Sequence, residues 1–274
     1  MVLNIREHTT IGIVGQKGTG KTRYALQLAN QAGINIVYVD PVGIAVKYKL
    51  MKGAYVIVKG LTDFRSLKGQ LANKRQNYVF DVSYLRRDEL IVFMDMLSRV
   101  LLEVGNYGLF IDEAPEFLPQ GGSKYYSEEL ERTIRIGRNF GIRPILLITQ
   151  RPQRIDKNAF ALCDCYMFFR VVYPLDRGKI RELLNLSEDE FAMLGQQLMS
   201  MSDGEAILFY PEKYKGNNLK EALVRIKFAG VGKNAPSKTA KSEHAVIETG
   251  ERGETEGSRI YPKDNPKQER EGEA

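Results

Sequence analysis

The sequence predicts an α/β fold, a mostly parallel sheet flanked by helices, followed by a charged, disordered tail. Three observations predict it. Along residues 10–230, short apolar runs alternate with longer segments of helical spacing, the pattern of strands joined by crossover helices. A glycine-rich octapeptide separates the first apolar run from the first helical segment. From Val231 onward apolar side chains almost vanish, and eight Lys or Arg stand against nine Asp or Glu, a composition that does not build a core. The expected division is one domain over residues 1–230 and a tail over 231–274.

The elements follow in order. Ile11–Val14 reads as a buried strand and Tyr24–Ala29 as the helix after it, stopped near Gly33. Ile34–Val39 is a second strand, closed by Asp40–Pro41, because proline ends the run. Ala54–Val58 is a third strand, Gly60–Ala72 a helix and Asn77–Asp81 another strand. Arg87–Val104 carries apolar residues at 90, 91, 94, 97, 101 and 102, close to helical spacing. Tyr107–Ile111 is a strand ending in Asp112–Glu113, and Ser127–Phe140 a long amphipathic helix ended by Gly141. Pro144–Gln150 is the next strand, Ala159–Cys165 a short helix and Tyr166–Phe169 a further strand. Asp176–Leu184 reads as helix. Ser187 to Glu190 forms a capping box before Phe191–Leu194. Gly204–Tyr210 and Leu223–Phe228 read as a closing hairpin.

The octapeptide Gly15-Gln16-Lys17-Gly18-Thr19-Gly20-Lys21-Thr22 fits G-x-x-x-x-G-K-[ST], the phosphate-binding P-loop or Walker A motif. Its glycines allow a tight turn close to an anion. Successive N–H groups can then cradle phosphate oxygens, with the positive end of the next helix behind them. Lys21 is expected to reach the β- and γ-phosphates of ATP, and Thr22 to offer its hydroxyl to Mg2+.

Asp112 and Glu113 supply the second half of such a site. Asp112 is expected to hold the Mg2+ through its water shell, and Glu113 to polarise the attacking water. An adjacent glutamate favours hydrolysis over phosphoryl transfer to a small molecule. Gln150 ends the strand after the acidic one, at the sheet edge where ligands bind in open α/β folds, and its amide can sense the γ-phosphate and orient water. Arg132, Arg135, Arg138, Arg143, Arg151 and Arg154 crowd the region after the acids. Arg138 is the candidate for an arginine finger on a neighbouring subunit's nucleotide; others are candidates for contacts to DNA phosphates.

Composition sets the bounds. With 43% hydrophobic residues the chain can bury a sizeable core, and its net charge of +6 combines a basic body, where 32 Lys or Arg outnumber 25 Asp or Glu, with a tail that has one acid in excess. Acidic partners are favoured. The longest apolar candidate, Leu90–Val104, is broken by Asp95, Arg99 and Glu103, so no membrane span is expected. Residues 1–11 carry Arg6, Glu7 and His8 without an apolar core, so no signal peptide is expected and the location is cytoplasmic. Cys163 and Cys165 are too close for an ordinary disulfide and lack ligand-spaced histidines, which points to buried thiols rather than zinc.

Four segments together resemble the HerA–FtsK superfamily of P-loop ATPases: GQKGTGKT at 15–22, Val39-Asp40-Pro41, IDEAPEFLP at 111–119 and GRNFGIRPILLITQRP at 137–152. The resemblance covers roughly residues 10–230. It implies a RecA-like core, a ring of subunits and ATP-driven movement of DNA, with Lys21, Thr22, Asp112, Glu113 and Gln150 in the roles given above. It makes an arginine near 135–143 a trans-acting finger without fixing which one. HerA-type helicases carry an N-terminal β-barrel, and bacterial chromosome translocases carry membrane helices and a DNA-reading domain; neither is expected here. The compact architecture is similar to genome-packaging ATPases of viruses, with plasmid-borne relatives as the other source.

Two functions from different classes follow. The first is a motor that translocates double-stranded DNA, packaging or mobilising a viral or plasmid genome, with the tail reaching a capsid or other protein partner. The second is an ATPase that drives protein assembly or export without moving DNA. The basic body favours the first, and steep salt dependence of DNA binding would separate them.

Overall fold

The computed structural model describes residues 8–31, 33–49, 51–61, 64–73, 75–214, 219–228 and 244–247. In chain order the main elements are β1 (Thr10–Val14), α1 (Lys21–Gln31), β2 (Ile36–Asp40), α2 (Ile44–Tyr48), β3 (Ala54–Val58), α3 (Phe64–Asn73), β4 (Tyr78–Asp81) and α4 (Arg87–Val104). They continue with β5 (Gly108–Ile111), α5 (Glu128–Ile136), β6 (Ile145–Thr149), α6 (Lys157–Ala161), β7 (Cys165–Phe168), α7 (Pro174–Leu184), α8 (Glu188–Ser200), β8 (Glu205–Phe209), α9 (Leu219–Ala222), β9 (Leu223–Lys227) and β10 (His244–Ile247).

These strands form one sheet in the order β10-β3-β4-β2-β5-β6-β1-β7-β8-β9. All pairings are parallel except those of β8 with β7 and with β9. The expected alternation of strands and helices is therefore present, and the last two strands close one edge as the expected hairpin. β6 lies between β1 and β5, so the ends of three adjacent strands carry the glycine loop, Gln150 and the acidic pair.

The central strands are buried along their whole length, which is why they read as near-continuous apolar runs rather than alternating ones. Period-two geometry then divides their side chains between two cores. Val37, Val39, Leu109, Ile111, Ile145 and Leu147 pack with residues of α3, α4, α5, α7 and α8 on one face. Ile36, Tyr38, Phe110, Leu146 and Ile148 pack with α1 on the other. Both sheet faces are covered, as expected.

Some boundaries differ from the sequence reading. The helix expected over 127–140 ends at Ile136, and Gly137–Phe140 tightens into a 3-10 turn. Gly141, at φ 74°, donates back to Arg138 O at 3.1 Å and stops the chain. Arg138 therefore leaves the helix that carries Arg132 and Arg135. The short helix expected at 159–165 starts earlier, at Lys157, because the Asp156 carboxylate accepts the N–H groups of Asn158 and Ala159 at 2.9 Å. The capping box at Ser187 and Glu190 forms as read. Cys163 and Cys165 are free and buried, and burial pushes both thiols up.

Within the segment expected as a tail, the described residues are His244–Ile247. They pair in parallel with β3, from His244 opposite Tyr55 to Ile247 opposite Val58. An Ala-Val-Ile run suits a strand, and β3 offers it an edge. The remainder of the expected tail lies outside the described residues.

Candidate nucleotide site

Every residue singled out for nucleotide chemistry except Arg138 stands at the C-terminal ends of parallel strands, the edge at which open α/β sheets bind ligands. The loop between β1 and α1 is anchored at both sides: Gly15 N–H donates to Thr149 O at 3.3 Å, and Gln16 N–H to Arg170 O at 3.0 Å. Gly15 is required by close approach, since a Cβ there would lie 2.5 Å from Phe169 Cβ. Gly18 and Gly20 adopt φ of 84° and 102°, the region that disfavours side chains. Thr19 is 1% exposed, and its hydroxyl donates to Gln16 O at 2.8 Å.

Lys21 is 6% exposed, and its Nζ donates to Gln16 O at 2.9 Å. Burial lowers its pKa to about 8, against the opposing pull of Glu113 and Asp112. The buried ammonium thus stands beside two acids at the loop, placed for an incoming polyphosphate.

Thr22 and Asp112 meet. Thr22 Oγ1 donates to Asp112 Oδ2 at 2.9 Å across 90 residues of sequence. Asp112 is 3% exposed and also accepts from Tyr38 OH at 2.9 Å and from the Glu113 N–H at 3.1 Å. Two hard oxygen donors converging beside a phosphate loop are the donor set that Mg2+ takes with nucleotide phosphates. The residues present fit that ion.

Glu113 and Gln150 are also brought together, the Gln150 amide donating to the Glu113 carboxylate. Glu113 is half-buried and sits at φ 45°, a left-handed conformation that costs a non-glycine residue energy and is often found at functional sites. Burial raises its pKa, with the Gln150 hydrogen bond acting in the opposite direction.

The arginines divide. Arg132, Arg135 and Arg151 pair with Glu129 at 3.2 Å, Glu131 at 3.7 Å and Asp176 at 3.6 Å. Arg138 is exposed in the turn before β6, next to Phe140, whose carbonyl accepts the Asn106 N–H at 3.2 Å. That is the N-terminal edge of the sheet, opposite the chain's own glycine loop. Arg138 does not join the site of its own subunit.

The sequence does not single out Tyr38, and it marks Asp40 only as the close of the second strand. Tyr38, fully buried, looks like an ordinary apolar strand residue in an Ile-Val-Tyr-Val run, and only the strand order shows that it faces Asp112. Asp40 accepts the N–H groups of Val42 and Gly43 at 2.9 Å and of Ala45 at 2.6 Å. It secures the turn into α2 instead of contributing a free carboxylate.

No protein-family model matches the chain. It is 29% identical over 136 residues to a probable helicase of Methanocaldococcus jannaschii, covering 47% of this chain and 25% of that protein. It is 30% identical over 99 residues to the DNA double-strand break repair helicase HerA of Sulfolobus acidocaldarius, covering 36% of this chain and 19% of that protein. The chain thus spans a quarter or less of the length of these relatives. In fold it is similar to B204, the DNA-packaging ATPase of Sulfolobus turreted icosahedral virus, with TM-score 0.57 and 15% identity over 82% of this chain and 98% of that one. It is likewise similar to the bacterial conjugative coupling protein TrwB lacking its first 70 residues, with TM-score 0.54 and 10% identity over 85% and 88% of the two chains.

The fold and the site define a P-loop ATPase. Within that class the chain is similar in sequence to two helicases, one of them HerA, and similar in fold to a viral packaging ATPase.

Proposed function

We propose that this chain is an ATP-hydrolysing motor that translocates double-stranded DNA, packaging or mobilising a viral or plasmid genome. The observation that carries the reading is the pairing of two couples at one sheet edge: Thr22 with Asp112, and Glu113 with Gln150. The first suits a phosphate-bound cation and the second suits a held water, the two requirements of NTP hydrolysis. The names of the relatives and neighbours, repair helicase and packaging ATPase, support DNA as the track.

In this reading the loop N–H groups and Lys21 bind and orient the triphosphate. Mg2+, when bound, neutralises charge developing on the β- and γ-phosphate oxygens. Thr22 and Asp112 would hold it, and the Tyr38 hydroxyl fixes the Asp112 carboxylate. Glu113 accepts the proton of the attacking water, while the Gln150 amide sets its orientation. Arg138, on the far edge of the sheet, acts in a ring by reaching the nucleotide of a neighbouring copy. The charged segment past residue 230 is the contact for a capsid or other protein partner.

The test is displacement of a third strand from a triplex-bearing duplex by the full chain. ATP-dependent displacement, lost in Lys21→Ala, is expected. Hydrolysis of ATP without displacement contradicts translocation.

A further inference from the structure

Among the arginines after the acidic pair, ion pairing separates solvated helix faces from cations available to a ligand. Arg132, Arg135 and Arg151 are paired, and Arg138 and Arg143 lie toward the N-terminal edge of the sheet, where Arg143 N–H donates to Tyr107 O at 3.1 Å. Arg154 differs from all of these. It is exposed, makes no ion pair among the described residues, and stands on the same edge as the glycine loop.

The backbone around Arg154 is tied to a second loop. Gln120 N–H donates to Arg154 O at 2.7 Å, Asp156 N–H donates to Leu118 O at 2.8 Å, and Pro119 and Ile155 form an antiparallel bridge. One of these loops follows Glu113 and the other follows Gln150. The bridge makes them one unit, a few residues downstream of the Glu113–Gln150 pair.

Beyond the bridge the tip of the 120–125 loop is exposed. Gly121 and Gly122 take φ of 92° and 66°, and a Cβ on either would meet nothing within 4 Å. Lys124 follows, exposed, its Nζ 4.9 Å from the centre of the Tyr125 ring, and Arg87 lies 4.8 Å from the same ring. Neither cation makes an ion pair among the described residues. Arg87 also lines a cavity of about 280 Å³ whose wall includes Glu113 and Glu116. Glu116 and Asp88 are exposed acids on the same edge, the Asp156 carboxylate is engaged in capping α6, and the buried Asp176, paired with Arg151, also feels the charge of Arg154.

We propose that this rim, from Arg154 through the Gly121–Gly122 tip to Lys124 and Arg87, is where the chain grips the phosphate backbone of duplex DNA. The bridge between the two loops carries that contact to Glu113 and Gln150. Two cations around an aromatic ring, a third exposed cation across the bridge and an open glycine tip suit a charged backbone rather than base edges, which predicts sequence-independent binding. The inference rests on the DNA-motor reading and deepens it by naming the surface.

The experiment measures binding of a fluorescently labelled duplex to the full chain over a range of salt. It compares wild type, the double variant Lys124→Ala/Arg154→Ala, and the charge-keeping variant Lys124→Arg/Arg154→Lys, with thermal melting as the control for folding. The double variant is expected to bind at least tenfold more weakly, with a salt slope shallower by about two phosphate contacts, and the charge-keeping variant to restore both. A wild type that binds the duplex and a folded double variant with the same affinity and slope overturn the rim alone. A wild type that binds no duplex at low salt overturns the DNA reading beneath it.

Discussion

The Tyr38 hydroxyl donates to Asp112 Oδ2 at 2.9 Å, and the same carboxylate oxygen accepts from Thr22 Oγ1 at 2.9 Å. When Thr22 turns toward a cation, the carboxylate loses one of its partners. Tyr38, fully buried on β2, remains to hold the oxygen in place. Burial and the neighbouring acids push its phenol far above its usual range, so it stays a donor throughout the working pH range. Tyr38→Phe removes that donor without changing the packed ring, and leaving a buried acceptor short of a partner costs about 1–3 kcal/mol. The expected outcome is weaker Mg2+-dependent nucleotide binding, read by fluorescent-nucleotide titration against metal, with metal-free nucleotide binding close to wild type. Equal metal dependence in the two proteins would remove Tyr38 from this role.

Glu113 must be ionised to accept a proton, and burial raises its pKa. Hydrolysis should therefore fall as pH drops through a value above the ordinary glutamate range. Because the Gln150 hydrogen bond favours the ionised form, Gln150→Ala should move this acid limb to higher pH as well as slow turnover. Single-turnover rates over pH check both effects. An acid limb at the same pH in wild type and variant would contradict the pairing.

Glu113→Gln should keep nucleotide binding and lose about a hundredfold or more in hydrolysis, the scale of a general base. Normal turnover in this variant would show that the water is activated elsewhere.

Lys21, with a pKa lowered to about 8 by burial, is only partly protonated near that pH before nucleotide arrives. Phosphates favour its charged form, so binding should take up a proton, more as pH rises through 8 and little well below it. Calorimetry in buffers of different ionisation enthalpy measures this uptake. Lys21→Met should abolish it along with most of the affinity.

Gly15→Ala places a methyl 2.5 Å from Phe169 Cβ. Overpacking of this kind costs about 1–3 kcal/mol, or moves the loop off Thr149 and Arg170. Thermal melting and nucleotide affinity together report it, and a variant unchanged in both would contradict the close approach.

Much of this was legible before the structure because phosphate chemistry restricts which residues can stand at a loop. The octapeptide, the Asp112–Glu113 pair and Gln150 each end an apolar run, and parallel topology brings such ends to one edge. What was not legible depended on lateral strand order. Tyr38 faces Asp112 because β2 neighbours β5, and nothing in an Ile-Val-Tyr-Val run distinguishes that tyrosine from its apolar neighbours. The end of α5 at Ile136 also escaped the sequence reading. The apolar spacing continues through Phe140, yet Gly141 and the packing of Gly137 against Ile142 tighten the last turn. The pairing of β10 with β3 joins segments almost 190 residues apart, and its sequence signal is a three-residue apolar run inside a charged stretch.

The most direct test of the central claim is the ATPase rate of the full chain with and without double-stranded DNA, over a range of protein concentration and salt. The account predicts a rate that DNA stimulates, that rises per molecule as protein concentration favours assembly, and that loses its stimulation at high salt. A rate indifferent to DNA at low salt, at every protein concentration, would contradict the motor and leave a P-loop ATPase that works on something else.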